Sequence, residues 1–360
     1  MKEYRVEEQA LTMIQELSDA YGPSGFEDEA VAAAKKHAEG LGRLEEDCLR
    51  NLYIWGENTG KPVLMLDAHS DELGFMVHSI KPNGTLRFLP LGGWNANSLT
   101  ASKVLVRNSL GQWIPGVIGS IPVHFLSASD REKGPAIENM TIDIGAVSKE
   151  EAEQKFHVRI GEPVVPAVNF EYDAEHDVMF GKGFDCRIGC AALIEALRRL
   201  SGKDLAFDVV GTLSSQEEIG ERGMKVAVGR VQPKVAICFE GCPADDTFTE
   251  PYAIQTGFKR GPMLRFMDRS IICSPRFMRY SLDLAEKLGI PAQASVRTGG
   301  GNNGAIIHTT GNGIPTIVIG VPVRYIHAHH GITSYYDFEA TVQLACAIVS
   351  SLTPEIVDSF

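Results

Sequence analysis

The residues in this chain best equipped for chemistry are His69, Asp71, Asp185, Glu217, Glu218, Glu240 and His327. Imidazole and carboxylate are the donors that zinc, cobalt and manganese accept, and a pair of divalent ions activates water for hydrolysis. His69 and Asp71 stand two positions apart after the apolar run Pro62–Leu66. In extended chain such positions point the same way. His69 can then offer one ring nitrogen to an ion while Asp71 accepts the N–H of the other and orients the ring. Asp185 stands where an Ala-rich helix is expected to begin. A carboxylate there either caps the helix and meets its dipole or bridges two ions, with Arg187 as a partner in the second case.

Glu217 and Glu218 follow the β-branched stretch Phe207–Leu213, with Gly220 close behind. Two adjacent acids repel when both are ionised, which raises one pKa. A general base beside a metal ligand needs that combination, and successive side chains diverge, so Glu218 can face an ion while Glu217 faces water and substrate. A solvated acidic turn opening the next helix is the plainer reading of the pair alone. Glu240 and His327 each close a further apolar segment, and His329 and His330 crowd the latter. Ligands of open α/β sheets collect beyond the carboxyl ends of the strands, where all these residues are expected to lie.

The elements that must hold them are legible in outline. Val6–Ala20 and Glu27–Gly40 read as amphipathic helices joined by the turn Pro23–Gly25. Between residues 75 and 165 the texture changes to short β segments broken by Asn83–Gly84, Gly92–Gly93, Asn108, Gly111 and Pro115. From Val178 onward strands alternate with helices near Ala191–Leu200, Pro275–Leu288 and Phe338–Leu352. This is an α/β domain, residues 1–74 and 166–360, interrupted by a small β domain at 75–165. His69 precedes the interruption and Asp185 follows it, so the site is expected near the junction.

Composition narrows the function. A formal net charge of −12 over 360 residues, with no compensating basic stripe, argues against nucleic acid as partner. No signal-peptide core follows Met1 and no stretch approaches a membrane span, so a cytoplasmic protein is expected. Cys186 with Cys190 and Cys238 with Cys242 form two Cys-x₃-Cys pairs. They read either as a four-thiolate zinc site or, better, as thiols on packed faces. An odd cysteine count fits free thiols in a reducing compartment.

The segments Asp67–Phe75, Gly181–Cys190, Ser215–Gly223 and Arg324–His327, in this order, resemble the motifs of the M42 family of metallo-aminopeptidases, the glutamyl and deblocking enzymes that form hollow tetrahedral particles. The resemblance covers nearly the whole chain. It implies a mixed-sheet peptidase domain with helices on both faces and a β-barrel-like insertion used for dimerisation. It further implies two divalent ions per subunit, zinc, cobalt or manganese, one held by His69, Asp185 and Glu240 and the other by Asp185, Glu218 and His327. Glu217 falls on the family's general base. The implied assembly is a homo-oligomer, a tetrahedral dodecamer built from dimers. Two departures stand out. Position 240 carries Glu where relatives usually have Asp, and Gly300-Gly301-Asn302-Asn303 stands where they usually read Gly-Gly-Thr-Asp. That loop is read as a turn lining the substrate site, with its lost charge weakening the hold on a free α-amine.

The expected reaction is removal of the N-terminal residue of a short peptide by a metal-bridging hydroxide, with Glu217 as general base. Two alternatives remain at this level: a related di-metal N-deacylase or carboxypeptidase, and a family member that has kept the fold but lost its chemistry. A glycosidase built on Glu217 and Glu240 would want aromatic platforms, and the chain has only three Trp.

Overall fold

The computed structural model describes residues 4–125 and 135–360. The strands among these residues are, in chain order, β1 (Arg43–Glu46), β2 (Leu52–Trp55), β3 (Val63–His69), β4 (Gly74–Ile80), β5 (Leu86–Leu91), β6 (Lys103–Arg107), β7 (Trp113–Ile118), β8 (Ile142–Asp143), β9 (Pro163–Pro166), β10 (Glu171–Asp173), β11 (Val178–Gly181), β12 (Asp208–Ser214), β13 (Val235–Pro243), β14 (Met263–Met267), β15 (Gln293–Val296), β16 (Thr316–Val323) and β17 (Gly331–Thr333). The chain divides into two compact units, residues 1–72, 170–326 and 331–360 in the first and 73–169 with 327–330 in the second.

The first unit is built on an eight-stranded mixed sheet in the order β1-β2-β12-β3-β13-β16-β14-β15. The central strands β12, β3, β13 and β16 run parallel, and antiparallel pairs lie toward both edges. Every residue of β12 and β16 is buried. Strands hidden along their whole length need cover on both faces, which two groups of helices provide. Glu8–Asp19, Asp28–Ala38 and Tyr335–Ser351 pack around Phe184–Leu200, and Arg222–Val231 packs with Gly304–His308. Sequence periodicity places most of these helices to within a few residues. It misses Arg222–Val231 and Gly304–His308, because short helices carrying Gly and β-branched residues give little propensity signal. A small antiparallel sheet, β10-β11-β17, completes the unit.

The second unit is a closed antiparallel barrel in the order β4-β5-β8-β7-β6-β9. Alternate residues such as Phe75 and Val77, Leu86 and Phe88, and Val104 and Val106 point into its core, as a two-residue period requires. Phe75 stacks on Trp94 at 4.8 Å and meets Phe88 edge-on. The Asn83–Gly84 signal marks the β4–β5 turn, where Gly84 has φ +87° and a Cβ would lie 2.5 Å from the Ala146 carbonyl oxygen. Of the apolar run Ile121–Leu126, Ile121 and Phe125 are exposed, and Leu126 lies outside the described residues. No helix among the described residues is long and apolar enough to cross a membrane.

Candidate active site

Three parallel strands bring the site together. In the β12–β3 ladder Ser214 pairs with His69, and in the β13–β3 ladder Cys238 pairs with Asp67. Glu240, two residues beyond Cys238, therefore stands level with His69, while Glu217 and Glu218 begin the loop just past Ser214. Residues far apart in the chain converge at the carboxyl edge of the sheet because the parallel register allows no other outcome.

His69 is the centre of the cluster. Its Nδ1 lies 3.1 Å from the Asp71 carbonyl oxygen and 3.3 Å from Asp71 Oδ1. Both are acceptors, so Nδ1 carries the proton and donates. Nε2 faces Asp185 Oδ1 at 3.1 Å, Glu240 Oε2 at 3.7 Å and Glu217 Oε2 at 3.9 Å. Burial alone would lower the pKa of this imidazole, yet the Asp185 and Asp71 carboxylates push it well above its ordinary value. Glu217 is itself driven well above the usual carboxylate range, first by burial and, against the pull of His69, by Glu218, Asp185 and Asp71. Glu240 is raised chiefly by burial as well.

Donor atoms of His69, Asp185, Cys186 and Glu240 lie within 4.8 Å of one another, and so do those of His69, Glu217 and Glu218. Several carboxylates held this close inside protein are costly unless a positive charge joins them. A divalent ion fits both the spacing and the chemistry of the donors. The longer stem of Glu240 still reaches His69, so the Asp-to-Glu departure leaves the carboxylate within the donor cluster.

The surroundings fix the donors. Asp71 is fully buried. It accepts Ser24 Oγ–H at 2.6 Å and the amides of Glu217 and Glu218 at 3.0 and 3.2 Å. Burial would raise its pKa, but the hydrogen bonds from His69, Ser24 and the Glu217 amide hold it below its ordinary value. Next to it, Glu72 takes both oxygens to Lys182 Nζ, at 2.7 and 2.8 Å. This buried pair ties the end of β3 to the segment that delivers Asp185.

Several expectations change here. Asp185 does not cap the Phe184–Leu200 helix: Gly183 is its N-cap, and Asp185 and Cys186 have non-helical backbone angles. Arg187 is not a partner of Asp185. Its guanidinium donates to the carbonyl oxygens of Leu17, Ala20 and Gly22. Gly300 and Gly301 are exposed, whereas Asn302 and Asn303 are each only 1% exposed. Asn302 Nδ2 donates to Asp268 at 2.8 Å, and Asn303 Nδ2 donates to Asp67 Oδ2 at 2.8 Å and Ser214 Oγ at 2.7 Å. An amide N–H at position 303 thus serves Asp67, where a second acid would have to share a proton with it. His327 belongs to the second unit, where its Nδ1 lies 2.8 Å from the Gly93 carbonyl oxygen. The four cysteines of the Cys-x₃-Cys pairs are free and buried, with the Cys186 and Cys190 thiols donating to the carbonyls of Phe239 and His69. Cys186, which the sequence offers only to a thiolate cluster or a packed face, instead lies with His69, Asp185 and Glu240. A regular helix would have turned it away from Asp185, and the irregular first turn does not.

A mixed α/β sheet with a histidine and several acids gathered at its carboxyl edge, in a chain that also carries a closed β-barrel, defines the class: a metallopeptidase-like hydrolase. The family model of the M42 glutamyl aminopeptidases matches residues 51–344, and the chain belongs to that family. The glutamyl aminopeptidase of Lactococcus lactis is 32% identical over 348 residues, covering 96% of this chain and 97% of the relative. A TET aminopeptidase from a marine sediment archaeon of the Thaumarchaeota superposes with a TM-score of 0.94 at 35% identity, covering 98% of each chain. The TET1 peptidase of Pyrococcus horikoshii, which can assemble into a tetrahedron or a large octahedral shell, superposes with a TM-score of 0.85 at 28% identity over 95% of this chain and all of that one. The protein is a peptide hydrolase of the aminopeptidase type.

Proposed function

We propose that the chain removes N-terminal residues from short peptides using two divalent ions, with Glu217 as the proton carrier. The observation that carries this reading is the convergence of His69, Asp185, Glu217, Glu218 and Glu240 within ion-binding distances at the carboxyl edge of the sheet. His69, Asp185 and Glu240 are assigned to one ion, and Asp185 and Glu218 to the other. His327, which the family resemblance assigns to the second ion, is tested by His327→Ala. Zinc, cobalt and manganese all suit these donors. Ions bound here would lower the pKa of water toward neutrality and polarise the scissile carbonyl.

The protein's own residues do the rest. Asp71 holds the Nδ1 proton of His69, so that Nε2 is the nitrogen presented to the cluster. Through the amides of Glu217 and Glu218, Asp71 also sets where those two acids project. Glu217, with a pKa raised by burial and neighbouring acids, takes a proton from water and returns it to the leaving amine. The exposed backbone at Gly300 and Gly301 is read as lining the substrate's path.

The solved relatives that assemble into closed particles support a homo-oligomer here, a dimer-based tetrahedral dodecamer, which the mass of the purified protein by light scattering tests. Cytoplasmic residence is part of the same reading, and the free cysteines fit a reducing compartment. Activity is tested with a panel of aminoacyl anilides and their N-acetylated forms, with zinc or cobalt added and a chelator control. Metal-dependent release from free-amine substrates supports the proposal and identifies the preferred residue. Release from blocked substrates alone would make the protein a deacylase, and silence throughout would mark a chain that has lost its chemistry.

A further inference from the structure

Behind the Glu217–Glu218 turn lies an acid that the proposed chemistry does not use. Glu27 is 0% exposed. It occupies the N-cap of the Asp28–Ala38 helix, yet its side chain makes no capping hydrogen bond there. It reaches elsewhere: Oε1 accepts the amide of Gly25 at 2.7 Å and that of Gln216 at 3.2 Å. Oε2 is buried with no hydrogen-bond partner among the described residues. Burying a carboxyl group with one oxygen unused is costly, and helix capping does not account for it.

Gln216 supplies the reason. Its φ is +53°, a left-handed conformation that a non-glycine residue keeps only when its surroundings hold it there. The three successive amides of this turn are all anchored on buried acids, that of Gln216 on Glu27 and those of Glu217 and Glu218 on Asp71. Asp71 also touches His69, so its part in the site is direct. Glu27 acts only on the backbone, one peptide upstream of Glu217. Releasing that peptide would let Gln216 relax toward negative φ and swing the two following side chains off their aim.

We infer that Glu27 is a positioning residue, which clamps the Gln216 amide so that Glu217 and Glu218 project in the directions catalysis needs. The inference rests on the reading of Glu217 as proton carrier. Its reach is mechanical: no contact with substrate or ion is required of Glu27, only an acceptor oxygen at the right place.

The test compares Glu27→Gln, which keeps a carbonyl oxygen for both amides, with Glu27→Ala, which keeps none, in the metal-loaded enzyme. Glu27→Met, similar in length but without an acceptor, takes the place of the alanine variant if that chain does not fold. The acceptor-free variant should lose about 10- to 100-fold in kcat, the range for removing a residue that orients a metal-site group, with KM little changed. Glu27→Gln should recover most of kcat. A general loss of structure would not be rescued by Gln in this way, nor confined to kcat. Wild-type kcat in the folded acceptor-free variant, or equal losses in that variant and in Glu27→Gln, would overturn the inference. Glu217→Gln, run alongside, separates the two readings. Full activity there would remove the proton-carrier assignment itself, whereas an inactive Glu217→Gln beside an unimpaired Glu27→Ala would remove only the clamp.

Discussion

Replacing Asp71 with Asn changes little in volume but removes a charge and half of the acceptor capacity at the base of the site. In the native chain Oδ1 receives the Glu217 amide at 3.0 Å and lies 3.3 Å from His69 Nδ1, while Oδ2 receives Ser24 Oγ–H at 2.6 Å and the Glu218 amide at 3.2 Å. An amide offers one oxygen and one NH₂. With its oxygen toward Glu217 and His69, the NH₂ meets Ser24, whose hydroxyl can rotate to accept, and the Glu218 N–H, which cannot. With the amide flipped, both the Glu217 N–H and the imidazole face a donor. Either arrangement strands at least one buried N–H, a loss of about 1–3 kcal/mol. The backbone carbonyl of Asp71 still holds His69 Nδ1 at 3.1 Å, so the ring keeps part of its orientation and binding is weakened rather than abolished. Removing a partner that orients a metal-ligating histidine typically costs about 10- to 100-fold in metal affinity, which is about 1.4–2.7 kcal/mol and matches the hydrogen-bond account. Asp71→Asn should therefore bind zinc about 10- to 100-fold more weakly when wild type and variant are equilibrated against chelator-buffered zinc and their metal content is measured. Superimposable binding curves would refute the reasoning, because they would show that neither the charge nor the acceptors of Asp71 support the ligands.

Glu217→Gln should retain its metal while kcat falls by roughly 10²- to 10⁴-fold, the usual contribution of a general base; metal analysis beside steady-state kinetics checks both halves, and an undiminished kcat would exclude the role. Chelation should abolish hydrolysis and lower the thermal midpoint, since the clustered acids lose the cation that compensates them, and zinc, cobalt or manganese should restore both; a midpoint and activity indifferent to chelator would contradict the metal assignment. Away from the site, burial, with Asp177 nearby, pushes the Asp337 carboxyl up to about 7. Between the ordinary carboxylate range and that value the folded chain keeps a proton that the unfolded chain has released. The contribution of this group to stability is thus fully present at low pH and is lost as pH rises toward about 7. Asp337→Asn should make urea midpoints fall less steeply with rising pH across that window, and parallel profiles for the two proteins would show that Asp337 does not titrate there.

How much was legible beforehand depended on whether the information was local. Side-chain chemistry and the period of apolar residues are carried by each segment alone. His69, Asp71, Asp185, Glu217, Glu218 and Glu240 could therefore be chosen as donors, and the alternation of helix and strand could be separated from the punctuated β texture that closes into the barrel. Pairing is not local. β12 lies between β2 and β3 in the sheet, and only that neighbourhood sets the amide of Glu217 on a carboxylate 146 residues earlier in the chain.

The same distinction explains the particular misses. Proximity in sequence offers Arg187 to Asp185, whereas its guanidinium is used on three carbonyls of the N-terminal segment. Asn302 and Asn303 sit in a glycine-rich loop, and only the fold shows that their N–H groups serve buried Asp268 and Asp67. Glu27 in sequence is an ordinary acid before a helix, and only the fold sets Gln216 against it with positive φ. The sequence by itself determined which groups were available to bind cations and move protons, because those capacities belong to the side chains. Only the tertiary structure decided which acids gather at the site and which hold the backbone behind it, because that choice is made by burial and hydrogen bonding between segments that meet only in the folded chain.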